Sequence, residues 1–170
     1  MDVYLATVSK REVRAYADRP LPDDAVRRLL EAGRMAGSSR NRQTRRFVAL
    51  RDRALIERAA QTVYMPDNVL GAALAVAIIV RGKGPTGFDA GRAAQNMMLA
   101  ASGDGIGSCP NGVADPGALA TLLGHGDDEQ VATVLSFGYP ARPVDAESRT
   151  PEQWIERADR LAFDDVVELR

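Results

Sequence analysis

Residues 89–112 read Asp-Ala-Gly-Arg-Ala-Ala-Gln-Asn-Met-Met-Leu-Ala-Ala-Ser-Gly-Asp-Gly-Ile-Gly-Ser-Cys-Pro-Asn-Gly, and the reading of this stretch decides the fold. Its first half sets Ala90, Ala93, Ala94, Met97, Met98 and Ala101 on one side of a helix, the most regular helical stripe in the chain. The small side chains leave room for a second helix, of the same subunit or of a partner, to come close. A plain core helix accounts for the spacing equally well. The second half, Gly103 to Gly112, carries too much Gly and Pro for a strand and reads as a loop lying close to something.

Just upstream, Leu74 to Val80 is apolar throughout, which predicts a strand covered on both faces at the centre of a sheet. Between strand and helix, Gly82-Lys-Gly84-Pro-Thr-Gly87 matches the G-x-G-x-x-G pattern of dinucleotide-binding turns. Two facts oppose that reading. Pro85 removes a backbone N–H from a turn that would present such groups to a pyrophosphate, and no second strand is expected after the helix. A dinucleotide-binding domain using Gly82–Gly87 is therefore kept only as a minor alternative.

Further out, residues 2 to 10 predict a short helix, and Glu12 to Pro22 an extended or irregular segment. Asp23 or Asp24 can cap a helix with Val26, Leu29 and Leu30 on its apolar face, ended by Gly37 and Ser38. Phe47 to Leu50 predicts a strand, and Leu55, Ile56, Ala59, Ala60 and Val63 one face of a helix. Leu119, Leu122 and Leu123 mark a short helix, Val131 to Phe137 a strand, and Pro151 to Arg160 a helix with Pro in its first turn. The sum is an α+β chain, expected to form one domain over residues 1–170.

With 45% hydrophobic and 26% charged residues the chain is ordinary for a globular protein, and a net charge of −1 removes the field of a dedicated nucleic-acid binder. No apolar run approaches the roughly 20 residues that span a bilayer, so the expected compartment is the cytoplasm. Cys109 is the only cysteine and His125 the only histidine, which excludes an intrachain disulfide and paired-histidine metal motifs. No metal is expected, and chemistry, if present, belongs to a bound cofactor.

Two segments besides the glycine-rich one can meet a ligand. In Ser9-Lys10-Arg11-Glu12-Val13-Arg14 three cations fall within five residues, a cluster that can grip a phosphate or simply form a solvated face. In Gly37-Ser38-Ser39-Arg40-Asn41-Arg42-Gln43, hydroxyls and amides follow a helix end, which suits either the polar edge of a planar ring or a plain C-terminal turn. The neighbouring arginines lack the interleaved aromatics of a nucleic-acid platform.

Taken in order, these segments resemble the FMN-dependent nitroreductase family along nearly the whole chain. The resemblance rests on Lys10, Arg11 and Arg14; on Gly37-Ser38-Ser39-Arg40-Asn41-Arg42-Gln43-Thr44 against the family's Pro-Ser-Ser-x-Asn-x-Gln-Pro; and on Phe47-Val48-Ala49. Asp89 to Gly112, Gly138-Tyr139-Pro140 and Arg160-Leu-Ala-Phe163-Asp164-Asp165 complete it. The resemblance implies a small mixed sheet flanked by helices, an intertwined homodimer and FMN as cofactor. It implies that Lys10, Arg11 and Arg160 converge on the FMN phosphate and that Arg14 faces the pyrimidine edge of the flavin. Ser38, Ser39 and Asn41 would approach FMN from the other subunit, Asn68 would contact the ring or ribityl chain, and backbone around Pro110, Asn111 and Gly112 would face the N5 edge.

The activity implied is hydride transfer from a reduced nicotinamide, NADPH or NADH, through flavin N5 to a nitroaromatic, quinone or similar planar acceptor. A flavin-binding protein with little or no turnover is the alternative. The chain departs from the family at Glu12, which replaces a serine and is expected to face solvent or a nearby arginine, at Gly37 and Thr44, which replace prolines, and at Arg45, which replaces a common tryptophan.

Overall fold

The structure is a computed structural model and describes residues 2–143 and 145–170. Their contacts divide into two compact units, Arg11–Pro143 and the two chain ends, residues 2–10 with 145–170.

The larger unit is built on four strands, β1 (Arg45–Leu50), β2 (Leu74–Arg81), β3 (Gly107–Asn111) and β4 (Glu129–Gly138), in the order β1-β2-β4-β3. All three pairings are antiparallel, so among the described strands no parallel pair makes the sheet mixed. β2 lies inside the sheet and is buried from Leu74 to Val80, as its unbroken apolar run requires.

One face of the sheet carries α2 (Asp23–Arg34) and α5 (Thr86–Gly103) over Val76, Ile78, Leu135 and Phe137. The other carries α3 (Arg53–Ala60) and α6 (Pro116–Leu123) over Ala75, Ala77 and Val134. The small-residue stripe of α5 meets α2 of the same chain so closely that a Cβ on Gly33 would stand 2.8 Å from Met97. Asp23 and Asp24 lie in the first turn of α2 behind Pro22, where they face the helix dipole instead of capping it.

The expectation of a loop from Gly103 to Gly112 is corrected in its second half, because Gly107 to Asn111 pairs with β4 as a strand. The reason is its place at the sheet edge, where Pro110 lacks no needed ladder donor and a barren strand is tolerated. The same finding revises the case against a dinucleotide turn. A strand does follow α5, but β4 lies between β2 and β3, so the adjacent parallel pair of that fold is not formed.

In the unit of the chain ends, α1 (Val3–Ser9) is capped by Asp2, and α7 (Pro151–Arg157) by a reciprocal Thr150–Gln153 box. Trp154 is buried there, its indole N–H donating to the Ala146 carbonyl at 2.8 Å and its ring lying under Arg149. The last helix of the prediction stops at Arg157, and Asp159 turns through φ 50°, so Arg160 stands outside it, ahead of α8 (Phe163–Val166). Residues 159–170 are all exposed, with Leu161, Phe163, Val166 and Leu169 among them. Among the described residues no helix is long and apolar enough to cross a membrane.

Gly107 and Gly138 are cross-strand partners and both lie under residues 13–16. A Cβ on Gly107 would sit 2.6 Å from Val13, and one on Gly138 2.9 Å from the Tyr16 ring. Gly138→Ala is expected to cost about 1–3 kcal/mol by overpacking. Gly103→Ala, with open space around it, should be neutral or slightly stabilising; urea midpoints of the two variants check the contrast.

Candidate functional site

The segment from Arg11 to Ala17 is a strap laid over the end of the β3–β4 ladder. Val13 N–H donates to the Ser108 carbonyl at 2.9 Å, Ala17 N–H to Tyr139 at 2.8 Å, and Ala141 N–H returns a bond to Ala15 at 3.0 Å. The Tyr16 hydroxyl bonds the Val13 carbonyl at 2.7 Å and shares a hydrogen bond with Ser136 Oγ at 2.9 Å. Burial pushes the Tyr16 phenol well above its ordinary pKa, so it stays a protonated donor. On this strap Arg11 is half-buried, while Glu12 and Arg14 are exposed; Arg14 meets no carboxylate among the described residues.

The glycine-rich strand is tied to the strap through the same hydroxyl. Asn111 is buried, and its Nδ2 donates to the Cys109 carbonyl at 3.0 Å, the Val134 carbonyl at 3.1 Å and Ser136 Oγ at 3.2 Å. That amide nitrogen is spent on holding β3 against β4. Asn111 Oδ1 and Ser108 Oγ are buried without a partner among the described residues, whereas Pro110 and Gly112 are exposed.

Gly112 in turn accepts from Tyr64 N–H at 3.1 Å, and a Cβ there would press the Tyr64 ring at 3.1 Å. Tyr64 and Met65 are 72% and 60% exposed, an apolar flat beside bare backbone. They run into α4 (Asp67–Leu70), where Asn68 is half-buried. The structure thus brings Arg11, Arg14, Asn111, Gly112 and Asn68 into one connected part of the larger unit. Tyr64 is marked by no motif, and the only sequence signal for it is an apolar pair breaking into Pro66 outside a helical pattern.

The residues Ser38, Ser39 and Asn41 lie elsewhere. Their loop is tied to the first turn of α5, Ser39 N–H donating to Asp89 Oδ2 at 3.1 Å, and it feeds β1 at Arg45, level with Val80. The strap docks on Gly138, one step beyond the Leu74–Phe137 level. Six residue steps along β2, from Leu74 to Val80, separate the two levels, a span of about 20 Å. One chain therefore holds the two groups of candidate residues at opposite ends of its sheet.

Lys10 and Arg160 belong to the unit of the chain ends. Lys10 is half-buried at the C-terminus of α1, with its N–H on the Ala6 carbonyl, and Arg160 is exposed. Other cations are committed: Arg46 meets Glu129 in a two-pronged pair at 2.8 and 2.7 Å, and Arg28 bridges Asp24 and Asp104. The basic strap, bare Gly112 and the exposed Tyr64 ring fit a planar ligand with an anionic tail, held without any nucleophile.

Comparisons with known proteins give the following. The sequence model of the nitroreductase family matches residues 8–77 and 86–139. A protein of Archaeoglobus fulgidus named "Putative NADH dehydrogenase/NAD(P)H nitroreductase" is 30% identical over 142 residues, 78% of this chain and 82% of the relative. One of the same name from Methanothermobacter thermautotrophicus is 29% identical over 83% of this chain and 78% of its own. Among solved structures, a nitroreductase family protein of Clostridium difficile superposes with a TM-score of 0.84 at 20% identity, covering 99% of this chain and 98% of the other. A "putative nitroreductase in complex with fmn" from Desulfovibrio desulfuricans gives 0.81 at 25% identity, covering 100% and 98%.

The Arg46–Glu129 pair yields a titration. The Arg46 guanidinium holds the Glu129 carboxyl down at about 2, helped by the Gly126 N–H. Its stabilisation is complete above the ordinary carboxylate value and is lost as pH falls through about 2. Arg46→Ala is expected to move the Glu129 midpoint up toward, but short of, 4.5, read from its carboxyl carbon shift by NMR.

Proposed function

The chain belongs to the nitroreductase family, and on that premise we propose that it is an FMN-dependent oxidoreductase working as a homodimer. Its electrons come from a reduced nicotinamide, and its acceptor is a nitroaromatic, a quinone or a similar planar molecule. The curated relative from A. fulgidus carries NAD(P)H nitroreductase in its name, and the D. desulfuricans structure holds FMN. The cytoplasm is the proposed compartment, and residues 1–170 are taken to act as one flavin-binding domain.

The observation that carries the shared-site reading is the separation of about 20 Å along β2 between the strap with its glycine strand and the Ser38–Asn41 loop. Two copies related by a twofold axis supply one half each to a shared cleft. Exposed Met35, Phe88, Tyr64 and the apolar side chains of residues 161–169 add the surface that such a partner would cover.

FMN, when bound, would supply the redox chemistry of hydride transfer between nicotinamide and acceptor. The protein supplies place and charge. Lys10, Arg11 and Arg160 are assigned to the phosphate, through charge-assisted hydrogen bonds. Arg14 is assigned to the pyrimidine edge, where a fixed cation stabilises the negative charge of the reduced ring. Pro110, Asn111 and Gly112 offer backbone without bulk to the ring, beside Asn68, while Ser38, Ser39 and Asn41 of the second copy close the site.

Purified protein incubated with FMN is expected to show a bound-flavin absorbance spectrum that bleaches anaerobically with NADH or NADPH and recovers with menadione; a colourless protein sinks the proposal. Arg11→Ala and Arg160→Ala should each weaken FMN by about 1.5–3 kcal/mol, read by fluorescence titration. Light scattering is expected to give twice the chain mass at micromolar concentration, and a holo-monomer contradicts the shared cleft.

A further inference from the structure

A buried carboxylate and a half-buried guanidinium at the β1 end of the sheet are left unused by that reading. Asp89, 4% exposed, stands in the first turn of α5 and accepts the Ser39 N–H through Oδ2 at 3.1 Å. Arg45, the first residue of β1, donates from Nη2 to the Ala36 carbonyl, and its Nη1 is buried with no hydrogen-bond partner among the described residues. Burial lowers the Arg45 pKa, and the Asp89 carboxylate opposes that shift while Arg92 adds to it.

Between Ser39, held by Asp89, and Arg45 the chain takes a backbone shape that side chains disfavour. Arg40, Asn41 and Gln43 have φ of 52°, 53° and 52°, none of them glycine. Such conformations persist where the surroundings over-determine them. Here Ser38 Oγ accepts Gln43 N–H at 2.9 Å and Arg42 reaches the Lys83 carbonyl at 3.1 Å, but both groups are exposed or half-buried. The anchor out of water is Asp89, beneath Ser39, and with it stands half-buried Arg45, beneath Ala36, whose Nη1 is shielded from solvent. A buried carboxylate and a half-buried guanidinium both carry a desolvation cost that packing alone does not call for. Their hydrogen bonds go to the loop backbone and to nothing in the apolar core.

We propose that Asp89 and Arg45 are positioning residues that hold loop 36–43 in its strained form, so that Ser38, Ser39 and Asn41 meet the flavin preorganised. This rests on the reading of that loop as a flavin contact.

Hydrogen exchange by mass spectrometry on the peptide covering 36–43, with a β2 peptide as reference, tests the tie in the holoprotein. FMN titration of the apoprotein by fluorescence quenching tests its consequence. Asp89→Ala and Arg45→Met are each expected to speed loop exchange at least about tenfold with β2 unchanged, and to raise the FMN Kd about tenfold. Asp89→Asn keeps an acceptor for Ser39 N–H and should restore most of both. The double variant should fall short of the product of the single effects, because both act on one loop. Arg45→Lys, which retains charge but loses the fork, should lie between and serves if Arg45→Met does not fold. Loop exchange equal to wild type, or loosened in step with β2, overturns the proposal. Faster loop exchange with unchanged FMN affinity upholds the tie and overturns the reading of Ser38–Asn41 as a flavin contact.

Discussion

Two missing side chains allow the rest of the larger unit to take its shape. With only hydrogen at Gly107 and Gly138, the strap of residues 11–17 lies directly on the ladder, Val13 over one glycine and the Tyr16 ring over the other. The Tyr16 hydroxyl then passes through Ser136 to Asn111, so the basic strap and the glycine-rich strand are parts of one buried polar chain. The linking hydroxyls and the Asn111 amide nitrogen are all paired, with Asn111 Oδ1 left over, and a single truncation would strand further polar atoms out of water. Arg11 and Arg14 owe their place to this contact, and so does the bare backbone they accompany.

The antiparallel sheet imposes the second constraint. Its register fixes the strap and the Ser38–Asn41 loop about 20 Å apart along β2. No side-chain rotation closes such a distance. A site that uses both ends needs either a long ligand or a second chain, and a twofold arrangement makes both ends useful twice. The apolar side chains exposed along residues 161–169 agree with a chain whose surface is completed by association.

Much of the architecture was legible in one dimension. The apolar run at Leu74–Val80 announced a buried inner strand, and the stripe from Ala90 to Ala101 a helix with one small-residue face turned inward, because burial and period are local signals. The strand at Gly107–Asn111 was not legible: its glycines and proline lack β propensity, and only pairing with β4 at a sheet edge makes a strand of them. Arg160 likewise reads as helical by continuity from Pro151, yet the chain leaves the helix at Arg157.

The sequence by itself determined most of the inventory: the main helices and the apolar strands, that chemistry here needs a cofactor, and which basic, hydroxyl and glycine segments could meet it. Residue type and spacing carry that information because propensity and amphipathic period act over a few residues. The tertiary structure alone decided that Tyr16 joins the strap to Asn111, that Tyr64 flanks Gly112, and that Asp89 and Arg45 grip the loop before β1. Those relations are contacts between segments far apart in the chain, and only strand register and packing bring such segments into reach.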